Sequence, residues 1–230
     1  MEAIIIAGGK GTRLKTVIND MPKPMAPVNN RPFLSIIFDQ LIAGGIKSAV
    51  LAVGYKWEQI SAYYGNKYKT LDLQYAVEKT PLGTGGAIKN AVQYIKSGSF
   101  FTLNGDTFFD VDFNELMNFH KNKNADLSLS LKAMQNFDRY GSVKIDSGNK
   151  IIAFEEKQFK ENGYINGGIY CMNKNIFDIV SGEKFSFEKD LMEAKLNELN
   201  IYGKVFDKYF IDIGIPEDYE KAKEYFFKVK

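Results

Sequence analysis

The chain has 230 residues, 45% hydrophobic and 25% charged, an ordinary globular composition with room for one large domain. A formal net charge of +2, with lysines scattered among Asp, Glu and Asn, gives no concentrated basic field and excludes nucleic acid as an expected partner. One cysteine, Cys171, excludes an internal disulfide, and with a single histidine it cannot complete a tetrahedral zinc site.

In chain order, Ile4-Ile5-Ile6-Ala7, four apolar residues bounded by glycines, predict a strand buried on both faces, as in a parallel sheet. Arg31-Pro32 predicts the start of a helix reaching about residue 43, with Phe33, Ile36, Ile37, Gln40 and Leu41 at near-helical spacing and Gly44-Gly45 ending it. Strands are expected at Ser48–Val53, Leu71–Val77 and Ser99–Asn104, with helices at Trp57–Tyr64 and 86–95. This βαβ alternation predicts an α/β fold, Rossmann-like, whose mostly parallel mixed sheet is flanked by helices and places ligands at the strands' carboxyl ends.

Beyond about residue 112 the pattern changes. A strand at 126–133, a hairpin of 141–145 with 151–156 around Ser147-Gly148-Asn149, and a strand at 164–172 predict a small antiparallel subdomain. Helices are expected at 188–197 and 216–227, the second with Pro at its first position and acidic residues in its first turn. There is no long linker and no internal repeat, so residues 1–230 are expected to form one domain with halves at about 1–112 and 113–230. No apolar run approaches the roughly 20 residues that span a bilayer, and no basic-then-apolar leader precedes Ile4. A cytoplasmic protein without a membrane partner is the expectation, and the single thiol in an apolar run suits a reducing compartment.

The segment Ala7-Gly8-Gly9-Lys10-Gly11-Thr12-Arg13-Leu14 lets backbone N–H groups approach an anion, and Arg13 and Lys23 add formal positive charge. It is neither a P-loop, which needs Lys-Ser/Thr after its last glycine, nor a dinucleotide fingerprint, which needs a third glycine where Leu14 stands. Asp106, in Leu103-Asn104-Gly105-Asp106, and Asp212, in Phe210-Ile211-Asp212-Ile213-Gly214, each follow an apolar strand. Each could cap a helix, or the two could hold a hard cation such as Mg²⁺ with water and phosphate oxygens. Glu78 precedes the turn Leu82-Gly83-Thr84-Gly85-Gly86. A carboxylate there could accept from the adjacent N1–H and N2–H of guanine, or it could simply pair with Lys79.

Gly8-Gly9-x-Gly11-Thr12-Arg13-Leu14 followed by Pro22-Lys23-Pro24 resembles the signature of the sugar-1-phosphate nucleotidyltransferases. The resemblance implies a glycosyltransferase-A-like fold and an enzyme that joins a sugar 1-phosphate to a nucleoside triphosphate and releases pyrophosphate. It implies Arg13 and Lys23 as catalytic cations, and Asp106 and Asp212 as ligands of Mg²⁺. Ala7, Gly8, Gly9, Gly11, Thr12, Glu78, Gly83, Thr84, Gly85, Asn104 and Gly105 become candidate nucleotide contacts. The antiparallel subdomain would be the sugar side, with Tyr140-Gly141, Glu156-Lys157 and Asn166-Gly167 as candidate contacts; Gln158 stands where the family has proline.

A sugar 1-phosphate is largely dianionic near neutrality, so it can attack the α-phosphorus without a protein base, and the lone His120 is expected to be structural. Within the family, Leu-Gly-Thr-Gly-Gly-Ala and Phe-Ile-Asp-Ile-Gly-Ile-Pro-Glu-Asp-Tyr most resemble the D-glycero-alpha-D-manno-heptose 1-phosphate guanylyltransferases, which implies GTP and that sugar phosphate as substrates. Mannose-1-phosphate guanylyltransferases and amino-sugar-1-phosphate uridylyltransferases are the nearest alternatives, and a non-catalytic nucleotide-sugar binding module is a more distant one. The oligomeric state does not follow from the residues; a homodimer is compatible with them.

Overall fold

The computed structural model describes residues 1–9, 11, 14 and 20–228. The first strand, β1 (Glu2–Ile6), lies at the middle of a ten-stranded sheet. Its side chains alternate between two hydrophobic clusters: Ala3 and Ile5 face one, Ile4 the other, and all three are fully buried. Burial on both faces is what the unbroken apolar run requires, and each such isoleucine contributes about 1.5–3 kcal/mol relative to exposure.

After β1 come two short strands, β2 (Pro27–Val28) and β3 (Arg31–Pro32), paired antiparallel, and then helix α1 (Phe33–Ala43). The expected helix start at Arg31-Pro32 is therefore corrected by two residues. Pro32 lies just outside the helix at φ −58°, ψ 144°, and Arg31 pairs with Val28 instead of entering the first turn. Next come β4 (Ser48–Val53), α2 (Trp57–Tyr64), β5 (Lys67–Tyr68), β6 (Leu71–Val77), α3 (Gly83–Val92) and β7 (Ser99–Asn104). Strands β7, β1, β4 and β6 pair in that order, all parallel, as the alternation predicts. Helix α3 begins and ends three residues earlier than expected. Its glycines, poor helix formers alone, are held by contact with a distant segment: Gly85 and Gly86 N–H both donate to the Phe185 carbonyl, at 3.0 and 3.3 Å.

The later part extends the same sheet and adds a separate two-stranded one. It comprises β8 (Thr107–Phe109), α4 (Phe113–Asn122), β9 (Leu127–Phe137), the hairpin β10 (Ser142–Ile145) and β11 (Ile151–Glu155), β12 (Lys160–Asn173), β13 (Ile201–Val205), β14 (Phe210–Asp212) and α5 (Pro216–Lys228). Strand β12 runs antiparallel beside β7, so the antiparallel part is an extension of the parallel sheet. Between Asn166 and Tyr170 its register against β9 shifts, a bulge with Gly168 at φ +74°. The helix expected at 188–197 is a π-helix over Phe187–Glu193, with the Ser186 hydroxyl accepting from Lys189 N–H.

Helix α4 buries Phe113, Leu116, Met117 and His120 at helical spacing, and Asp112 caps it by accepting from the N–H groups of Asn114 and Glu115. His120 is held inside the core by Ser128 and Asn173, each at 3.0 Å, and burial lowers its pKa. Cys171 is fully buried, which pushes its thiol up to about 12 and leaves it inert.

Candidate active site

The parallel strands end in line, because Ile6 is in register with both Ala52 and Asn104, and Val53 with Val77. The loops leaving them are tied side by side. Ala7 N–H donates to Ala52 O at 2.8 Å, Gly105 N–H to Ile6 O at 2.9 Å and Glu78 N–H to Val53 O at 2.9 Å. One row of loop residues thus faces one cleft, at the carboxyl ends where an α/β sheet binds ligands.

Asp106 lies in the turn between β7 and β8, and β14 pairs antiparallel with β8 so that Asp212 is opposite Thr107. Two aspartates from distant parts of the chain meet in this way. Lys23, on the short helical turn Lys23–Met25, reaches both: its Nζ is 2.5 Å from Asp106 Oδ2 and 3.6 Å from Asp212 Oδ1. Burial and the neighbouring charge of Asp106 raise the pKa of Asp212, against the pull of Lys23. The second contact is beyond hydrogen-bond reach, and Asp212 Oδ1 is a buried oxygen with no hydrogen-bond partner among the described residues. A buried, unpartnered carboxylate oxygen beside a second carboxylate fits a hard cation completed by phosphate and water oxygens. Among the described residues no group of three or more His, Cys, Asp or Glu could hold a metal by itself.

Around this trio a cavity of about 200 Å³ is lined by Ile6, Ala7, Gly9, Gly11, Lys23, Pro24, Asp106 and Gly214. Gly11 has φ +56°, and a Cβ there would stand 2.9 Å from the Lys23 Cβ, so both the turn and the close approach need glycine. Thr12 and Arg13 lie outside the described residues.

A larger cavity of about 800 Å³ adjoins it. It includes Gly8, Gly54, Tyr55, Glu78, Gly83, Thr84, Asn104, Asp106 and Glu188 among its walls. Glu78 Oε2 accepts from Leu82 N–H at 3.1 Å. Its other oxygen lies over two cavity glycines: a Cβ on Gly54 would stand 2.5 Å from Oε1, and one on Gly8 would stand 2.9 Å away. Lys79 is therefore not what holds this carboxylate; a loop amide fixes it. Thr84 donates to Glu188 at 2.7 Å and accepts from Phe187 N–H at 2.9 Å, joining the Gly-rich turn to the π-helix.

Gly85 and Gly105, expected to face the nucleotide, are buried instead, and their N–H groups are engaged by the Phe185 and Ile6 carbonyls. Their physical role is close packing, since a Cβ on Gly105 would stand 2.6 Å from Ile6 O and one on Gly85 would collide with the Phe185 ring.

The residues expected on the sugar side are arranged differently. Glu156 and Lys157 are exposed in the loop between β11 and β12. Their neighbour Glu155 is engaged by Lys144 at 2.7 Å, Ser142 at 2.7 Å and Lys160 at 2.9 Å, which hold its carboxyl down to about 2. Asn166 donates to Tyr170 Oη at 2.8 Å and accepts from Gly168 N–H at 3.0 Å, and Gly167 is buried against Phe109. The bulge thus uses Asn166 for its own geometry. Gly141 follows Tyr140, whose ring is edge-on to Phe210 at 5.9 Å; burial and the charge of Asp212 push its hydroxyl up to about 12.

Sequence reasoning missed Gly54, Tyr55 and Glu188 in the cavity wall. Gly54-Tyr55 could have been found, since it follows Ser48–Val53 as Gly8-Gly9 follows β1. Glu188 gives no such signal, because its approach to Thr84 depends on the π-helix packing against α3.

Residues 2–228 match the nucleotidyl transferase family. The chain is 50% identical over 220 residues to a D-glycero-alpha-D-manno-heptose 1-phosphate guanylyltransferase of Campylobacter jejuni, covering 95% of this chain and 97% of that one. It is 48% identical over 225 residues to the protein of the same name from Aneurinibacillus thermoaerophilus, covering 97% of each. Its structure is similar to that of HddC from Yersinia pseudotuberculosis complexed with GMP-PN, with a TM-score of 0.87, 38% identity, and coverage of 98% and 99%. The chain belongs to the nucleotidyl transferase family.

Proposed function

We propose that this nucleotidyl transferase joins GTP to D-glycero-alpha-D-manno-heptose 1-phosphate, giving GDP-heptose and pyrophosphate. The chemistry rests on Lys23 held between Asp106 and Asp212, with Asp212 Oδ1 buried and unpartnered among the described residues. The choice of base and sugar rests on near-full-length likeness to two proteins of that name.

The two aspartates would hold Mg²⁺, which when bound supplies positive charge to the triphosphate. The amides around Gly9 and Gly11, with Lys23 and Arg13, hold the α- and β-phosphates and stabilise negative charge as it moves to the leaving pyrophosphate. An oxygen of the sugar phosphate, already ionised, forms the new bond to the α-phosphorus as the bond to pyrophosphate breaks, in line and with inversion. No proton has to be removed, and the buried His120 takes no part. Residues 1–112 hold the nucleotide, with Glu78 on the guanine Watson–Crick edge. Residues 113–230 hold the sugar phosphate, with Lys157 on its phosphate and Glu156 on its hydroxyls.

We also propose a cytoplasmic enzyme whose partners are its two small-molecule substrates, with neither nucleic acid nor membrane among them. No helix among the described residues is long and apolar enough to cross a bilayer. The test is a pyrophosphate-release matrix crossing four nucleoside triphosphates with heptose, mannose and amino-sugar 1-phosphates. The highest kcat/KM is expected for GTP with the heptose; a preference for UTP overturns the base, and a preference for mannose 1-phosphate overturns the sugar.

A further inference from the structure

A second large cavity, about 580 Å³, opens beside Asp212, whereas Asp106 lines the nucleotide cavity. Lys23 bridges the two aspartates, so a phosphate held there has the base on one side and this second cavity on the other. Its wall near Asp212 is aromatic, formed by Tyr140 set edge-on to Phe210. Its polar centre is Arg139 paired with Asp218 at 2.8 Å. The Asp218 side chain is only 8% exposed and is also paired with Lys221 at 3.1 Å.

The charges of this cavity decide what it suits. Three cations face four carboxylates, and every Asp218 oxygen already has a cation, so a second triphosphate would meet no net attraction. An uncharged polyol meets a matched set instead. Each carboxylate oxygen keeps a spare lone pair to accept from a hydroxyl, and the guanidinium keeps N–H groups to donate to one. Vicinal hydroxyls, each both donor and acceptor, can bridge such a pair, while their C–H faces lie on the aromatic wall.

We propose that this cavity receives the exocyclic C6–C7 diol of the sugar 1-phosphate, held by Arg139 and Asp218 against Tyr140 and Phe210; the assignment rests on the sugar-phosphate reading given above. A hexose phosphate lacks C7 and leaves the ion pair facing water. Selection of a seven-carbon sugar then comes from a hydrogen-bonding subsite, which discriminates more strongly than an apolar pocket does.

Steady-state kinetics with GTP test this, comparing the heptose 1-phosphate, its 7-deoxy analogue and mannose 1-phosphate. The wild-type enzyme should prefer the heptose to both analogues by about tenfold or more in kcat/KM. Arg139→Gln and, independently, Asp218→Asn should lower the heptose-to-mannose ratio by a similar factor. A uniform loss on both sugars, or an unchanged ratio in a folded variant, overturns the subsite. Because the 7-deoxy comparison uses only wild-type enzyme, equal use of that analogue overturns it even if neither variant folds. If GTP is used best with mannose 1-phosphate, guanylyl transfer stands and the subsite fails. If GTP serves with neither sugar, the functional reading itself fails, and the subsite with it.

Discussion

The two sides of the cleft to which we assign the nucleotide and the sugar phosphate are built by different rules. On the proposed nucleotide side, parallel strands end in register, backbone hydrogen bonds tie their loops together, and the candidate side chains are hydrogen-bonded within the fold. Glu78 is held by the Leu82 amide and Lys23 by Asp106. On the sugar side, an antiparallel extension with a bulge directs its polar groups inward, to Tyr170 and Gly168 from Asn166 and to three partners from Glu155. Glu156 and Lys157 stand exposed beside them. On the one side the site side chains are held by the fold, and on the other Glu156 and Lys157 are exposed next to a hydrogen-bonded cluster. Preorganised groups serve the transition state most, so losses in kcat should concentrate on the nucleotide side and losses in sugar affinity on the other.

The largest expected effect is on the pair that joins the two halves. Asp106→Asn and Asp212→Asn should each lower kcat/KM by about a thousandfold or more, since metal-assisted charge stabilisation is worth several kcal/mol. Asp212→Asn should also raise the melting temperature, because burial and Asp106 both oppose the charge that this substitution removes. Pyrophosphate release at saturating Mg²⁺, read beside thermal melts, separates the two effects. Near-native turnover in either variant would break the two-aspartate site.

The next effect concerns the base. The Leu82 N–H fixes which oxygen of Glu78 faces the loop, so in Glu78→Gln the amide oxygen should take that place and set its NH₂ against guanine N1–H. The cost on GTP should be on the order of 1–3 kcal/mol, or about ten- to a hundredfold in kcat/KM. ITP lacks the 2-amino group, so the wild-type preference for GTP over ITP should narrow in the variant. Gly54→Ala should do the same without touching the carboxylate chemically, because its Cβ would stand 2.5 Å from Glu78 Oε1 and displace it. If the GTP-to-ITP ratio is unchanged in both variants, Glu78 does not read the 2-amino group, and if GTP use itself is unchanged, it does not read the base.

The same contrast explains what was legible in the sequence. Ser48–Val53, Leu71–Val77 and Ser99–Asn104 are found where their patterns put them, because a strand buried on both faces shows as an unbroken apolar run and one buried on a single face, as Leu71–Val77 is, shows as an alternating one. Asp106 and Asp212 were legible as strand ends, though only the β8–β14 pairing makes them neighbours. β13 was missed, since Gly203 in Ile201–Val205 looks like a breaker. It is there because a Cβ would collide with the Leu131 side chain on β9. The early start of α3, the π-helix and the Arg139–Asp218 pair depend on contacts between distant segments, and no local pattern records those. The exposed Glu156-Lys157 loop was legible only through family resemblance.

On the sugar side the effects should be smaller and should fall on affinity. Lys157 is exposed, so Lys157→Met should raise KM for the sugar phosphate by about tenfold with little change in kcat, as loss of uniform binding requires. A drop in kcat with unchanged KM would move Lys157 into the transition-state set and break the division between the halves.

The smallest expected effect tests whether the Glu155 cluster is the anchor of that loop. Lys144, Ser142 and Lys160 hold the Glu155 carboxyl down to about 2, from an ordinary value of 4.5. A carboxylate with a lowered folded pKa stabilises the fold above its unfolded pKa and loses that contribution as pH falls through the folded one. Glu155→Gln should therefore melt slightly lower than wild type at pH 7, and the gap should close between about pH 4.5 and pH 2. The lysine partners are partly exposed, so salt should shrink the gap as well. If the cluster positions the neighbouring Glu156 and Lys157, the same substitution should raise KM for the sugar phosphate modestly and leave KM for GTP alone. Melts from pH 7 to pH 2 at two salt concentrations, with both KM values at pH 7, decide it. A gap that persists at pH 2 would mean that Glu155 acts through packing, and an equal rise in both KM values would mean that the sugar-side loop is not a separate unit of the site.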